Sequence, residues 1–381
     1  MKIGILTYHW VYNFGANLQS LATVSWLRMV GHEVQILNYR PRDLESRYRA
    51  NTSPQQAAAH EQFTEDYLPL SPLCRTDEDL REAAHGLDLL ISGSDAVFRV
   101  EKDPMHSCVA YPNPFWMGWA ESLDIPKVAF AASCMGSRYA QLSRKKREGI
   151  RKAISQFKVV SARDLWTQFE LFKVQYGRRW PSRVPDPVLM APELPAFKEH
   201  GIGSLSSSGK TILISAYPGM IEHRWLRRFA SEAGNRGYDV VELPIPDEVA
   251  SLPIVERIEK PLDPLAWYQL ISNCAAYVGI RFHPIVVAIA NSVPFLSIDS
   301  YRTDSLLPFS SKTFDLCWQL GLSGRCKGGL RGKLADGASA LDYLFSDDGF
   351  SKKCERGRLH AAGKFQSFAA EHLQSAAIPK A

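Results

Sequence analysis

The sequence predicts an α/β protein of two domains, each a mostly parallel sheet covered by helices, facing one another across a cleft. Three observations carry this. Short apolar runs alternate with helix-period segments over the first half of the chain, a second series of the same kind begins at Lys210, and a breaker-rich stretch lies between them. The length of 381 residues agrees, being more than one hydrophobic core usually holds.

Taken in order, Lys2 to Thr7 reads as a strand, Leu18 to Val30 as a helix and Glu33 to Asn38 as a second strand. Strands follow at Asp88 to Ser92, Lys127 to Ala132 and Lys158 to Ser161. The segment Arg40 to Arg81 is polar and punctuated by proline, so an irregular or helical insertion is expected there. Ala191 to Gly209 holds Pro192, Pro195, Gly201, Gly203 and the run Ser206-Ser207-Ser208, the composition of a linker. It divides the chain into domains at residues 1–195 and 205–381, the second ending in a helical segment. Strands of the second domain are expected at Lys210 to Ser215, Tyr238 to Leu243, Ala276 to Gly279 and Phe295 to Ile298.

Composition narrows the function classes. The apolar stretch Val286 to Ile298 is broken by Asn291, Ser292 and Pro294, short of the roughly 18 apolar residues of a membrane span. The opening run lacks the basic segment, apolar helix and small-residue cleavage site of a secretory leader, so a cytoplasmic location is expected. Seven scattered cysteines without a CxxC pair read as reduced, mostly core thiols. The net charge of +5 includes the run Arg144-Lys145-Lys146-Arg147 with Arg151 and Lys152, a solvated helix face or a surface for loose attraction to the inner face of an acidic membrane. No nucleic-acid motif accompanies it, so nucleic acid is not an expected partner.

Four short constellations follow strand ends, where an open α/β sheet binds ligands. Asn13-Phe14-Gly15-Ala16-Asn17-Leu18-Gln19 places a glycine where strand gives way to helix, letting backbone N–H groups approach an anion or hydroxylated ligand; a plain helix N-cap at Asn13 is the alternative. Ser92-Gly93-Ser94-Asp95 follows an apolar strand and reads as a cleft wall or a cap. Ser161-Ala162-Arg163-Asp164 delivers an arginine fork for phosphate or carboxylate, unless Arg163 pairs with a local acid. In Val278-Gly279-Ile280-Arg281-Phe282-His283, Arg281 and His283 would share one side of an extended strand end, a fixed cation beside a group that titrates near neutral pH. Tyr217-Pro218-Gly219 and His223 beside Glu222 are candidates for the opposite cleft wall. There is no HExxH, GxSxG, P-loop lysine or DxD cluster of the metal-chelating kind, and no metal site is expected.

Together these stretches resemble the polysaccharide pyruvyl transferase family: N-[YF]-G-A-x-L-Q after an N-terminal strand, GSD after a strand, S-x-R-[DE], and R-F-H ahead of an alanine-rich helix. They stand here in the same order as Asn13 to Gln19, Gly93 to Asp95, Ser161 to Asp164 and Arg281 to His283, with Asp186-Pro187 also matching. Pro284 stands where glycine is usual, and Arg302 near where a lysine often occurs. The resemblance implies two Rossmann-like domains in the manner of GT-B glycosyltransferases and phosphoenolpyruvate as donor, with no cofactor. The acceptor it implies is a sugar or a lipid-linked oligosaccharide. It further implies Arg163 and Arg281 as anion holders and His283 as acid/base. With these go Asn13 and Gly15 at the donor, and Gln19, Ser94, Asp95 and Tyr217 at the acceptor or cleft. A nucleotide-sugar glycosyltransferase and a non-catalytic sugar- or anion-binding protein remain as rival readings. Aromatics in Val100 to Met117 and at Trp119 either stack on a sugar or cover the core.

Overall fold

The computed structural model of the protein describes residues 1–198, 209–217, 219–245, 252, 255–298, 309, 311–327, 336–346 and 348–374. Arg302, Pro218 and most of the expected linker lie outside them. The first half comprises β1 (Lys2–Leu6), α1 (Phe14–Met29), β2 (Glu33–Tyr39), α2 (Arg42–Ala50), α3 (Pro54–Tyr67), β3 (Leu70–Cys74), α4 (Asp77–Ala83), β4 (Leu89–Ser92), β5 (Lys127–Ala132), α5 (Arg144–Ser155), β6 (Val159–Ala162), α6 (Leu165–Val174) and β7 (Ser182–Arg183). After a 3-10 helix at Pro187–Glu193 and α7 (Pro195–Lys198) come β8 (Thr211–Ser215), α8 (His223–Asn235), β9 (Asp239–Glu242), β10 (Glu256–Arg257), α9 (Pro264–Ser272), β11 (Ala276–Gly279), α10 (Phe282–Ala290), β12 (Phe295–Ser297), α11 (Lys312–Gln319), α12 (Gly337–Leu344) and α13 (Phe350–His372).

The strands form two sheets, in order β3-β2-β1-β4-β5-β6-β7 and β10-β9-β8-β11-β12, with every pairing parallel. Both reverse direction beside their first strand, between β1 and β4 and between β8 and β11. That is the Rossmann arrangement, and such reversals leave a crevice at the strands' carboxyl ends. The central strands are fully buried runs such as Lys127–Ala132, as a parallel sheet covered on both faces requires. The expected insertion between Arg40 and Arg81 is three helices and an edge strand. Its β3 contains proline, a residue tolerated at sheet edges.

The two domains meet over a continuous apolar layer. Phe14 of α1 stacks on Trp267 of α9 at 5.1 Å, and the Gln56 amide exchanges two hydrogen bonds with the backbone of Leu262. Helix α13, the expected helical segment of the second domain, crosses back onto the first: Phe365 meets Trp26 at 4.9 Å and Phe368 meets Phe130 at 5.0 Å. Among the described residues no helix is long and apolar enough to cross a membrane.

Candidate active site

A cavity of about 300 Å³ opens between the two topological reversals. The β1–α1 loop and the segment after β4 supply Tyr8, Asn13, Gly15 and Asp95, while Ser215, Arg281, His283 and Lys312 come from the second domain. Three helix N-termini converge here, because the cavity wall takes the first residues of α1, α10 and α11 together. Each brings the positive end of a helix dipole, so the cavity favours an anion.

The Asn13–Gln19 segment divides its residues between two tasks. Asn13 caps α1, its side-chain oxygen accepting from Ala16 N at 3.2 Å, and stays at the cavity. Asn17 and Gln19 turn away from it. The Asn17 amide donates to His9 O at 2.8 Å, and Gln19 Nε2 donates to Thr7 Oγ1 and Ala16 O at 3.0 Å each. Both are fully buried, so Gln19, expected at the cleft, instead braces the loop between β1 and α1. Gly15 lies against His283 so closely that a Cβ on it would fall 2.0 Å from His283 Nδ1.

Arg163, expected to hold the donor, is already neutralised. It donates from Nη2 to Asp95 Oδ1 and from Nη1 to Asp186 Oδ2, both at 2.7 Å, with its side chain and that of Asp186 almost wholly buried. A buried guanidinium held between two carboxylates has little charge left for a ligand, and Arg163 does not line the main cavity. It positions the two acids. Burial works against the charged form of Asp95, yet Arg163, His283 and Lys312 hold its carboxyl below the usual carboxylate range. Asp95 adopts φ +78°, in the left-handed region that Asp tolerates, and this turns its side chain into the cavity. Its neighbour Ser94 is fully buried and donates to Ala131 O at 3.0 Å; it anchors the loop to β5 and lies off the cavity wall.

The Arg281–His283 segment is not the extended strand end the sequence suggested. β11 ends at Gly279, Arg281 is the N-cap of α10, and His283 sits in its first turn. Both nevertheless face the cavity. Pro284 is the third helical residue, where an N–H would have no intrahelical partner, so the helix loses no hydrogen bond by having proline there. The Arg281 guanidinium lies over the Tyr217 ring, 5.1 Å from its centroid, and donates to the Tyr217 hydroxyl. Tyr217 thus supports the arginine from behind the cavity wall. His283 Nε2 stands 3.7 Å from Asp186 Oδ2 and makes no hydrogen bond. Burial pulls its imidazole down to about 4, against the pull of Asp186 and Asp95, so it is neutral at pH 7.

Two further groups escaped sequence reading: Lys312, at the cavity wall, and Asp186, which holds Arg163 but does not line the cavity. Asp186 was seen only as part of a D-P pair, without a role, and Lys312 lies outside every motif. Lys312 carries no local pattern that would have marked it. His223 is exposed at the start of α8, away from the cavity. Phe115, Trp116 and Trp119 are core residues, with Trp116 stacked on Phe98 at 4.4 Å, which leaves His106 and Val109 as the cavity residues of that segment.

Comparison with solved structures places the architecture. The spinosyn rhamnosyltransferase SpnG aligns with a TM-score of 0.51 at 13% identity, covering 98% of this chain and 100% of that one. The Arabidopsis thaliana protein UGT89C1, solved with UDP-L-rhamnose, gives 0.52 at 12% identity over 97% and 98%. A putative UDP-N-acetylglucosamine 2-epimerase from Listeria monocytogenes gives 0.53 at 10% over 98% and 97%. At these identities the likeness concerns the fold alone, which is GT-B-like. Comparison with curated proteins finds no match. Residues 13–301, well over half of the chain and spanning all four motifs, match the polysaccharide pyruvyl transferase family, and the chain belongs to it.

Proposed function

We propose that the protein moves the pyruvyl group of phosphoenolpyruvate onto a hydroxyl pair of a sugar in a cell-surface or exopolysaccharide precursor, forming a cyclic ketal and releasing phosphate, with no cofactor. The observation that carries this reading is the neutral His283 imidazole at the wall of the same cavity as Arg281, with its Nε2 buried beside Asp186 and without a hydrogen-bond partner. Phosphoenolpyruvate brings about three negative charges, which suits a cavity walled by a guanidinium and three helix N-termini.

The chemistry balances with these groups. A proton reaches C3 of the donor, C2 becomes electrophilic, and the first sugar hydroxyl attacks it as the His283 imidazole takes the hydroxyl proton. The C2–O bond to phosphate breaks, and the second hydroxyl closes the ketal. Of the two hydroxyl protons, one replaces that used at C3 and the other leaves with phosphate. Asp186, 3.7 Å from Nε2, stabilises the imidazolium as it forms. A cytoplasmic location, at the inner membrane face for a lipid-linked acceptor, accords with this reading.

Thermal unfolding with phosphoenolpyruvate and with a panel of nucleotide sugars, each with and without a chelator, tests the donor. A chelator-insensitive rise with phosphoenolpyruvate alone is expected, and a response to nucleotide sugars alone would replace this reading with glycosyl transfer. In the same assay Arg281→Ala should abolish the rise. His283→Asn should keep it while losing phosphate release in an acceptor screen.

A further inference from the structure

With Arg163 committed to two acids, the cavity needs a second cation besides Arg281 to hold a donor that carries both a phosphate and a carboxylate. Lys312 supplies one from an unexpected place. It lies past residue 301, where the family match ends, and it is the first residue of the eight-residue helix α11, capped by Ser311. Its ammonium lies 5.1 Å from the centre of the Phe282 ring, and Arg163 lies 5.2 Å from the same ring. Among the described residues that ammonium makes no hydrogen bond and no ion pair.

Two local influences oppose a lysine there. It stands at the positive end of its own helix, where a cation is disfavoured, and a second cation shares its aromatic neighbour. Its surroundings are otherwise balanced: Asp95 after β4, Arg163 and Asp164 after β6, Asp186 before the 3-10 helix, and His283 on α10. Burial first, then Arg163, pulls the ammonium down to about 8 against the pull of the three aspartates. A cation kept without a partner at such cost fits an anion that arrives from outside.

We propose that Lys312 is the cation that holds the donor's phosphate, opposite the carboxylate-holding Arg281. This deepens the reading of the site given above and rests on it. A ligand phosphate beside Lys312 favours the charged amine, so binding takes up a proton once the pH is high enough to deprotonate the free amine. Affinity then falls by up to about tenfold per pH unit above pH 8. His283, neutral throughout that range, contributes nothing to the change.

The test is isothermal titration of the full chain with phosphoenolpyruvate and, separately, with inorganic phosphate, from pH 7.5 to 9.5 in buffers of different ionisation heat. Wild type should bind both and show proton uptake above pH 8, and Lys312→Met should weaken both at least tenfold at pH 7.5 and remove the uptake. Equal binding by Lys312→Met, or a wild-type affinity flat to pH 9.5, overturns the proposal. Should Lys312→Met not fold, as judged by its ligand-free melting, the wild-type pH profile decides alone. Lys312-dependent phosphate binding without any preference for phosphoenolpyruvate would keep the site and sink the pyruvyl-donor reading. Binding of neither overturns both.

Discussion

Gly15 and His283 touch across the domain boundary, with room between them for a hydrogen and not for a methyl group. A Cβ on Gly15 would lie 2.0 Å from Nδ1 and 2.1 Å from Cγ of the imidazole, a contact that cannot persist. The glycine motif after β1 and the histidine at the start of α10, 268 residues apart (283 − 15), are therefore one structural unit.

Gly15→Ala sets two effects against each other. Alanine favours α1 by up to about 1 kcal/mol. The clash with His283 costs about 1–3 kcal/mol and moves either the ring or the second domain. Urea unfolding should show a net loss, and phosphate release should fall about a hundredfold or more, since a displacement of the base by about an ångström has that scale of effect. Wild-type turnover in Gly15→Ala would mean that His283 need not stay where it is.

Arg163→Met separates the positioning reading of Arg163 from a donor-binding one. Losing a buried cation leaves Asp95 and Asp186 facing a side chain that cannot pair with them, and breaking buried pairs in this way costs about 3–5 kcal/mol. Urea unfolding should register that loss. Arg281→Ala, at the cavity wall, should leave the midpoint nearly unchanged while removing the donor response. The opposite pattern would return Arg163 to the donor site.

The placement of the motifs was legible in the sequence, and their division of labour was not. Asn13, Asp95, Arg163 and Arg281 each follow an apolar strand, and the reversal of strand order brings such ends together. Local spacing says nothing about what a side chain meets there. Arg163 has its partners 68 residues before it and 23 after, so its neutralisation is a tertiary fact. Gln19, four residues past Gly15 along α1, points instead into the loop below. Lys312 is carried by a helix with no sequence link to the cavity. The short strands β7 and β10, two residues each, were lost for want of any period to detect.

Three largely buried histidines predict how stability depends on pH. Burial takes His9 and His283 from 6.5 to about 4 and His60 to about 3. The folded state holds these rings neutral, while the unfolded chain protonates them below about pH 6.5. Stability is thus full above that pH and is lost as pH falls toward 4, by about 1.4 kcal/mol for every tenfold by which folding weakens a ring's hold on its proton. Urea midpoints at pH 7, 6 and 5 should drop progressively. A flat series would show that the folded protein charges these rings as readily as the unfolded chain.

Phe365→Ala tests whether α13 clamps the two domains. The ring is 1% exposed, edge-on to Trp26 at 4.9 Å and to Phe130 at 5.3 Å, and both partners belong to the first domain. α13 also packs on α10, whose first turn carries His283, so the helix connects the first domain's core to that turn. Truncating a buried phenylalanine costs about 3–5 kcal/mol. Because the cavity lies between the domains, the loss should also reach the site as a weaker thermal response to phosphoenolpyruvate. Phe350→Ala provides the comparison, since Phe350 lies on the same helix but packs against Phe295 within the second domain. Equal weakening of the donor response in both variants would assign the effect to general destabilisation. A larger loss in Phe365→Ala at matched stability would assign it to the clamp.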